Sequence, residues 1–169
     1  MSIFRSLLFL TALLVGFAHA ETFYGRVVAV ADGDTVTVLD ASNQQHKIRL
    51  QGIDAPEKGQ PYGQKAKQRM SDLVFNKEVL VEGDKRDRYG RLVAKVWVTP
   101  QSCPKCGQTL DAGLALLTVG LAWHYKKYQS EQSPQDSGRY SFAEEEARVK
   151  RVGLWSEPDP MPPWEWRRR

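Results

Sequence analysis

The chain has 169 residues, 41% of them hydrophobic and 26% charged, with a formal net charge of +4. That apolar content suffices for a packed core and excludes an intrinsically disordered chain. Two cysteines are too few for a disulfide scaffold or a four-cysteine zinc site, and so modest a charge does not by itself demand a polyanionic partner.

Residues 1–20 read as a secretory signal peptide rather than as part of the fold. Arg5 is their only charge, 6–18 is an almost unbroken apolar run, and Ala18-His19-Ala20 makes a small-x-small cleavage site. The run is short for a transmembrane helix, and no cysteine stands at the cleavage site to take a lipid. The mature chain is expected to begin at Glu21, to carry a charge of +3 once Arg5 is gone, and to be exported to a periplasm or the exterior. It is expected to be a monomer without stable membrane association.

Residues 23–31 form a Val-rich strand, and Asp32-Gly33-Asp34 is a turn signal. Thr35-Val36-Thr37-Val38-Leu39 alternates as a half-buried strand does, residues 41–44 turn the chain, and 45–52 return as a third strand. On that strand Ile48 and Leu50 point one way, and Lys47, Arg49 and Gln51 the other. Three antiparallel strands put the turns at Asp32 and Ile53 at the same end, so Asp34 can meet Asp54 and Glu57 in space. Pro56 ends the regular strand, which leaves Arg49 on rigid backbone and Asp54 and Glu57 on the turn that follows it.

Residues 64–75 are predicted helical, with Ala66, Met70, Leu73 and Val74 on one face. Residues 78–82 and 92–98 read as two further strands, joined by the polar 84–90, where Lys85, Arg86, Arg88 and Arg91 cluster. Thr109 is a candidate N-cap for a helix over 110–119 ended by Gly120. The Pro- and Gly-bearing polar stretch 129–139 reads as a mobile loop, and Ser141 as the cap of a third helix through Lys150. Residues 158–169, Pro-rich and ending in Arg167-Arg168-Arg169, read as a poorly ordered tail. The fold class is therefore mainly β with about three helices: a five-stranded OB-fold barrel over 21–157, an architecture that commonly binds oligonucleotides. Cys103-Pro104-Lys105-Cys106 is expected to close a local disulfide in an exported protein.

Four motifs occur in order: Asp32-Gly33-Asp34-Thr35; Arg49 followed by Ile53-Asp54-Ala55-Pro56-Glu57; Asp87-Arg88-Tyr89-Gly90-Arg91; and Gly153-Leu154-Trp155-Ser156. Together, from about Gly25 to Glu157, they resemble the staphylococcal nuclease family. The resemblance implies a nuclease that hydrolyses DNA and RNA with one calcium ion and leaves 3′-phosphates. It implies that Asp34, Asp54 and the Ala55 carbonyl hold Ca²⁺, that Arg49 and Arg91 contact the scissile phosphate, and that Glu57 activates or orients the attacking water. It further implies that Arg88 and Tyr89 contact a nucleotide phosphate and that Tyr125 and Tyr128 lie beside the base. Ala55 stands where the family often has Thr, a change that a carbonyl ligand tolerates. The connection from Glu57 to Tyr62 is shorter than in the staphylococcal enzyme.

The residue types suit that chemistry independently. Ca²⁺ takes oxygen ligands, arginine forks clamp phosphate oxygens, and a carboxylate beside a water can accept its proton. Asp32 either supports the metal site or caps its own turn. Either the aromatics of 123–128 stack on a base, or Trp123 and one tyrosine pack on the barrel. His46 and His124 are read as structural or exposed rather than catalytic. The alternative function is an OB-fold module that binds nucleic acid without cutting it. The presence of Asp34, Arg49, Asp54, Glu57 and Arg91 favours the enzyme.

Overall fold

A computed structural model of the chain describes residues 21–169; the signal-peptide reading of 1–20 lies outside them. Strands β1 (Glu21–Val30), β2 (Thr35–Asp40) and β3 (Gln45–Leu50) form the expected antiparallel meander. Alternation decides which face is inside. In β3, His46, Ile48 and Leu50 are buried, Gln45 and Lys47 are exposed, and Arg49 is half-buried. In β2, Val36 and Val38 are sealed from solvent.

After a two-residue strand, β4 (Ile53–Asp54), comes α1 (Gly63–Val74), which buries Ala66, Met70, Leu73 and Val74 as its periodicity predicts. Strands β5 (Glu78–Arg86) and β6 (Leu92–Val98) follow. The sheet runs β3-β2-β1-β5-β6, and β6 pairs back onto β3 in parallel through Ile48–Leu92, Arg49–Val93 and Leu50–Ala94. Five strands therefore close into an OB-type barrel. Its core includes Val27, Val36, Val38, Ile48, Leu50, Val79, Val81, Leu92 and Val96, none more than 1% exposed. β5 is longer than the predicted 78–82, so the basic residues Lys85 and Arg86 ride on a strand rather than in a loop.

The remaining elements are β7 (Leu110–Asp111), α2 (Ala112–Thr118), β8 (Trp123–His124, paired with β4), α3 (Pro134–Val149) and α4 (Pro163–Trp166). Short 3₁₀ turns occupy Lys126–Glu131 and Gly153–Ser156. Cys103 and Cys106 are joined by a disulfide, with their Cα atoms 5.4 Å apart. Among the described residues no helix is long and apolar enough to cross a membrane.

Three expectations are corrected. Thr109 is not a cap: Leu110 and Asp111 pair with Val98 and Trp97 at the barrel edge, so the chain stays extended until Asp111 caps α2. The stretch 129–139 is not a loop. Ser133 accepts the Asp136 N–H at 3.1 Å, Pro134 stands in the first turn where its missing N–H costs nothing, and α3 runs from there with Ser141 inside it. Lys95 Nζ ties that first turn to the barrel through Asp136 Oδ2 at 2.9 Å. Finally, 158–169 is not a loose tail; it folds back over the barrel and contains a fourth helix, α4.

Asp111 links α2 to α3. Its Oδ1 accepts the N–H groups of Gly113 at 2.9 Å and Leu114 at 3.2 Å, and its Oδ2 accepts the Tyr140 hydroxyl at 2.7 Å. Burial pushes the Asp111 carboxyl up despite these donors, and burial together with Asp111 raises the Tyr140 phenol. Asp111→Ala removes the cap and leaves a fully buried hydroxyl without its acceptor. It should cost about 2 kcal/mol or more, read as a lower urea midpoint with an unchanged m-value.

Candidate active site

One open cavity of about 680 Å³ collects the charged residues of the sequence motifs. Asp32, Asp34, Arg49, Asp54, Ala55, Glu57, Arg88, Tyr89, Arg91, Tyr125 and Tyr128 all line it. His46 and His124 do not. His46 pairs with Asp40 at 2.7 Å, and His124 is buried against Gln132 and Ser141.

The backbone sets the carboxylates. Asp34 leaves the β1–β2 turn 7% exposed, and Asp54 lies in β4 at 1% exposed. Asp34 Oδ1 accepts the Thr35 hydroxyl at 2.9 Å and its Oδ2 accepts the Ala55 N–H at 3.0 Å, which ties the two turns together. Between β3 and β4 the chain bends at Gly52, with φ +74°, beneath the Gln132 side chain. A side chain there would be both strained and crowded. Asp32 Oδ1 accepts the Asp34 N–H at 3.0 Å, which settles its turn-capping role. Burial, with the Asp34 charge adding to it, pushes the Asp32 carboxyl up to about 6. Asp54 is raised first by burial and further by Asp34.

The cations are set with equal definition. The β5–β6 turn is an Asx turn: Asp87 Oδ1 accepts the N–H groups of Tyr89 at 2.9 Å and Arg91 at 3.0 Å, and Gly90 takes φ +77°. Asp87 Oδ2 then accepts Arg91 Nε and Nη2, each at 2.7 Å, and Arg91 Nη1 reaches the Thr35 hydroxyl at 3.4 Å. Partial burial raises Asp87, but the Arg91 hydrogen bonds outweigh it and hold the carboxyl below its ordinary range. Arg49 Nη2 lies 3.5 Å from the Ile53 carbonyl, and its guanidinium is 5.5 Å from the Tyr125 ring centre. Arg88 packs over the exposed Tyr89 ring at 4.8 Å.

Tyr125 meets Tyr128 edge-on at 5.2 Å, and both line the cavity, whereas Trp123 packs inward against Trp155 at 4.3 Å. The packing alternative thus holds for Trp123, and the cavity keeps the tyrosines.

Among the cavity residues that the sequence did not single out for the site, Glu131 pairs with Lys85 and Arg167 reaches the carboxylates. Arg167, from the strap after α4, donates from Nη1 to Asp54 Oδ1 at 3.1 Å and from Nη2 to Asp54 Oδ2 at 2.7 Å. Its Nη1 also donates to Glu57 Oε1 at 2.6 Å. The only hint in the sequence was the run of three arginines, and composition alone cannot dock a terminus.

Two buried carboxylates and hard oxygen donors in a cavity rimmed with arginines form the layout of a phosphodiester hydrolase. Among the described residues no group of three His, Cys, Asp or Glu side chains is arranged for a metal. Asp34 and Asp54 nonetheless suit a hard divalent cation: both are nearly dry, and the Asp34 charge adds to burial in raising the Asp54 carboxyl.

Comparison with known proteins agrees with the geometry. Residues 47–157 match the family described as Staphylococcal nuclease homologue, and the chain belongs to that family. It is 40% identical over 156 residues to a micrococcal nuclease of Shigella flexneri, covering 92% of this chain and 87% of that protein. It is 41% identical over 144 residues to protein ParB of Escherichia coli, covering 85% and 78% respectively. An uncharacterized endonuclease of Haemophilus influenzae is 40% identical over 144 residues, covering 85% and 72%. The chain is a nuclease, a hydrolase that acts on nucleic acid. Asp32, Asp34 and Arg167 fall outside the matched segment 47–157.

Asp87 holds the Arg91 guanidinium. Asp87→Ala frees that guanidinium to swing. Cleavage should fall about 10–100-fold, the scale of a misplaced site group, with the circular dichroism spectrum unchanged. Initial rates on DNA check this; a rate equal to the parent's would show that the Asp87 contact does not position Arg91.

Proposed function

We propose that the protein is an exported, monomeric nuclease that uses Ca²⁺ to hydrolyse DNA and RNA and releases 3′-phosphate ends. The observation that carries this reading is the convergence of Asp34, Asp54, Glu57, Arg49 and Arg91 on one open cavity. A module that only bound nucleic acid would need the arginines and aromatics. It would gain nothing from two dry carboxylates facing a phosphate.

Asp34, Asp54 and the Ala55 carbonyl would hold the cation. When bound, it supplies Lewis-acid polarisation of the phosphate and a site for water. Arg49 and Arg91 neutralise the nonbridging oxygens and the charge that builds on them as water adds to phosphorus. Arg91 is already aimed by Asp87 and Thr35, so little reorganisation is needed. Glu57 lies 37% exposed at the cavity rim and takes the proton of the attacking water. Departure of the 5′ oxygen leaves the phosphate on the 3′ side. Tyr125 and Tyr128 offer stacking faces, and Arg88 with Tyr89 grips a flanking phosphate, contacts that tolerate any sequence.

EGTA should abolish cleavage and added Ca²⁺ restore it; undiminished activity in EGTA would overturn the metal assignment. Glu57→Gln and Arg91→Ala should each lower kcat by at least ~10²-fold while single-stranded DNA still binds. Arg88→Ala should raise KM with little change in kcat, since a uniform binding contact is lost. Folded Glu57→Gln and Arg91→Ala proteins that cleave at the parent rate would favour the non-catalytic binding module.

A further inference from the structure

The strap 158–169 is built onto the barrel at four points. Gln60 Nε2 donates to the Met161 carbonyl at 2.6 Å, and Pro163 is buried at the start of α4. Trp164 lies face to face with Tyr125, centroids 5.4 Å apart and planes 25° apart, and meets Trp123 edge-on at 5.5 Å. These contacts deliver Arg167, whose fork takes both oxygens of Asp54 and one of Glu57. The pairing is strong enough to raise the Arg167 pKa above its ordinary value, chiefly through Asp54. The planar guanidinium, itself 43% exposed, presents a fixed pair of donors to a carboxylate that is 1% exposed, so the contact is bidentate and buried on the Asp54 side.

Arg167 therefore sits where the two functions assigned to this corner meet. It neutralises a carboxylate assigned to the cation, and it occupies the acid–base carboxylate. Trp164 at the same time covers a face of Tyr125 that a base would use. A divalent ion held by Asp34 and Asp54 would share Asp54 with the guanidinium, charge against like charge.

We propose that the 158–169 strap is an intramolecular competitor of the active site, in which Arg167 contends with the divalent cation for Asp54 and Trp164 contends with a substrate base for Tyr125. This rests on the reading of Asp34 and Asp54 as the cation site. The strap holds the nuclease closed, and the cation and the nucleic acid each weaken it. Because coupling between two binding events is reciprocal, the strap must weaken cation binding by the same factor as the cation weakens the strap.

The test has two arms on the full chain. Isothermal calorimetry compares Ca²⁺ binding by the parent and by Arg167→Gln, which keeps a donor and loses the charge. The variant should bind about tenfold more tightly, within the usual range of coupling between sites. Equal or weaker binding by the variant overturns the competition. Absence of Ca²⁺ binding in both proteins overturns the cation reading itself, a different result. The second arm needs no variant, so a poorly folded Arg167→Gln cannot leave the matter open. Amide exchange in peptides covering 160–169 should quicken when the parent is saturated with Ca²⁺, while peptides of the barrel core do not. Exchange that is unchanged or slower in Ca²⁺ overturns the proposal.

Discussion

Strand β3 is held on both edges, antiparallel to β2 and parallel to β6, and the site depends on that double pairing. The Leu50 N–H donates to the Asp34 carbonyl at 2.8 Å, and the Gln51 N–H donates to the Ala94 carbonyl at 2.9 Å. Those two bonds fix where β3 ends relative to the turn carrying Asp34 and to the strand carrying Val93. Arg49 thereby lies between Thr35 and Val93. A slip of one residue would turn Ile48 and Leu50 outward and Lys47 and Arg49 into the core. Burial of Ile48 and Leu50 makes that slip costly, so the apolar core enforces the position of the charged site.

The elements legible in the sequence are those whose cause is local. Alternation in β2 and β3, the apolar face of α1 and the Asp87–Arg91 turn each follow from neighbouring residues. The meander also put Asp34 beside Asp54, because two reversals return the chain to the same end. The misread elements have distant causes. Thr109 is a sound cap by type, but strand pairing with Val98 and Trp97 carries the chain past it to Asp111. The 134–140 stretch is too polar to announce a helix, and its anchor is Lys95, on β6. The strap is the extreme case. Its partners Gln60, Tyr125, Asp54 and Glu57 are a hundred or so residues away in sequence, apart from Tyr125.

The residues of the sequence motifs share one cavity, and compact motifs made that grouping legible. Asp32 shows the limit of that reading. Its type and spacing were compatible with either a capping or a supporting role, and only the hydrogen bond to the Asp34 N–H establishes the first. Its raised carboxyl also shows how closely negative charge is packed at this end of the barrel, with Asp34 as the neighbour responsible after burial itself.

Desolvated carboxylates in one corner require a counter-charge, and on the proposed cation reading two forms of it would contend for this corner. A guanidinium carries a single charge in a rigid plane, and here its donors are taken up by Asp54 and Glu57. A divalent cation carries twice the charge without a fixed plane and can be shared between Asp34 and Asp54 while leaving Glu57 free for a water. The two solutions therefore differ in what they do to Glu57. The first stabilises the barrel end with Glu57 engaged by Arg167, and the second would leave Glu57 open to the cavity. Stability of the closed corner and readiness for hydrolysis are thus alternatives set by the same two carboxylates. A strap anchored by Trp164 and Met161, rather than by Arg167 alone, can yield the corner without the barrel having to move.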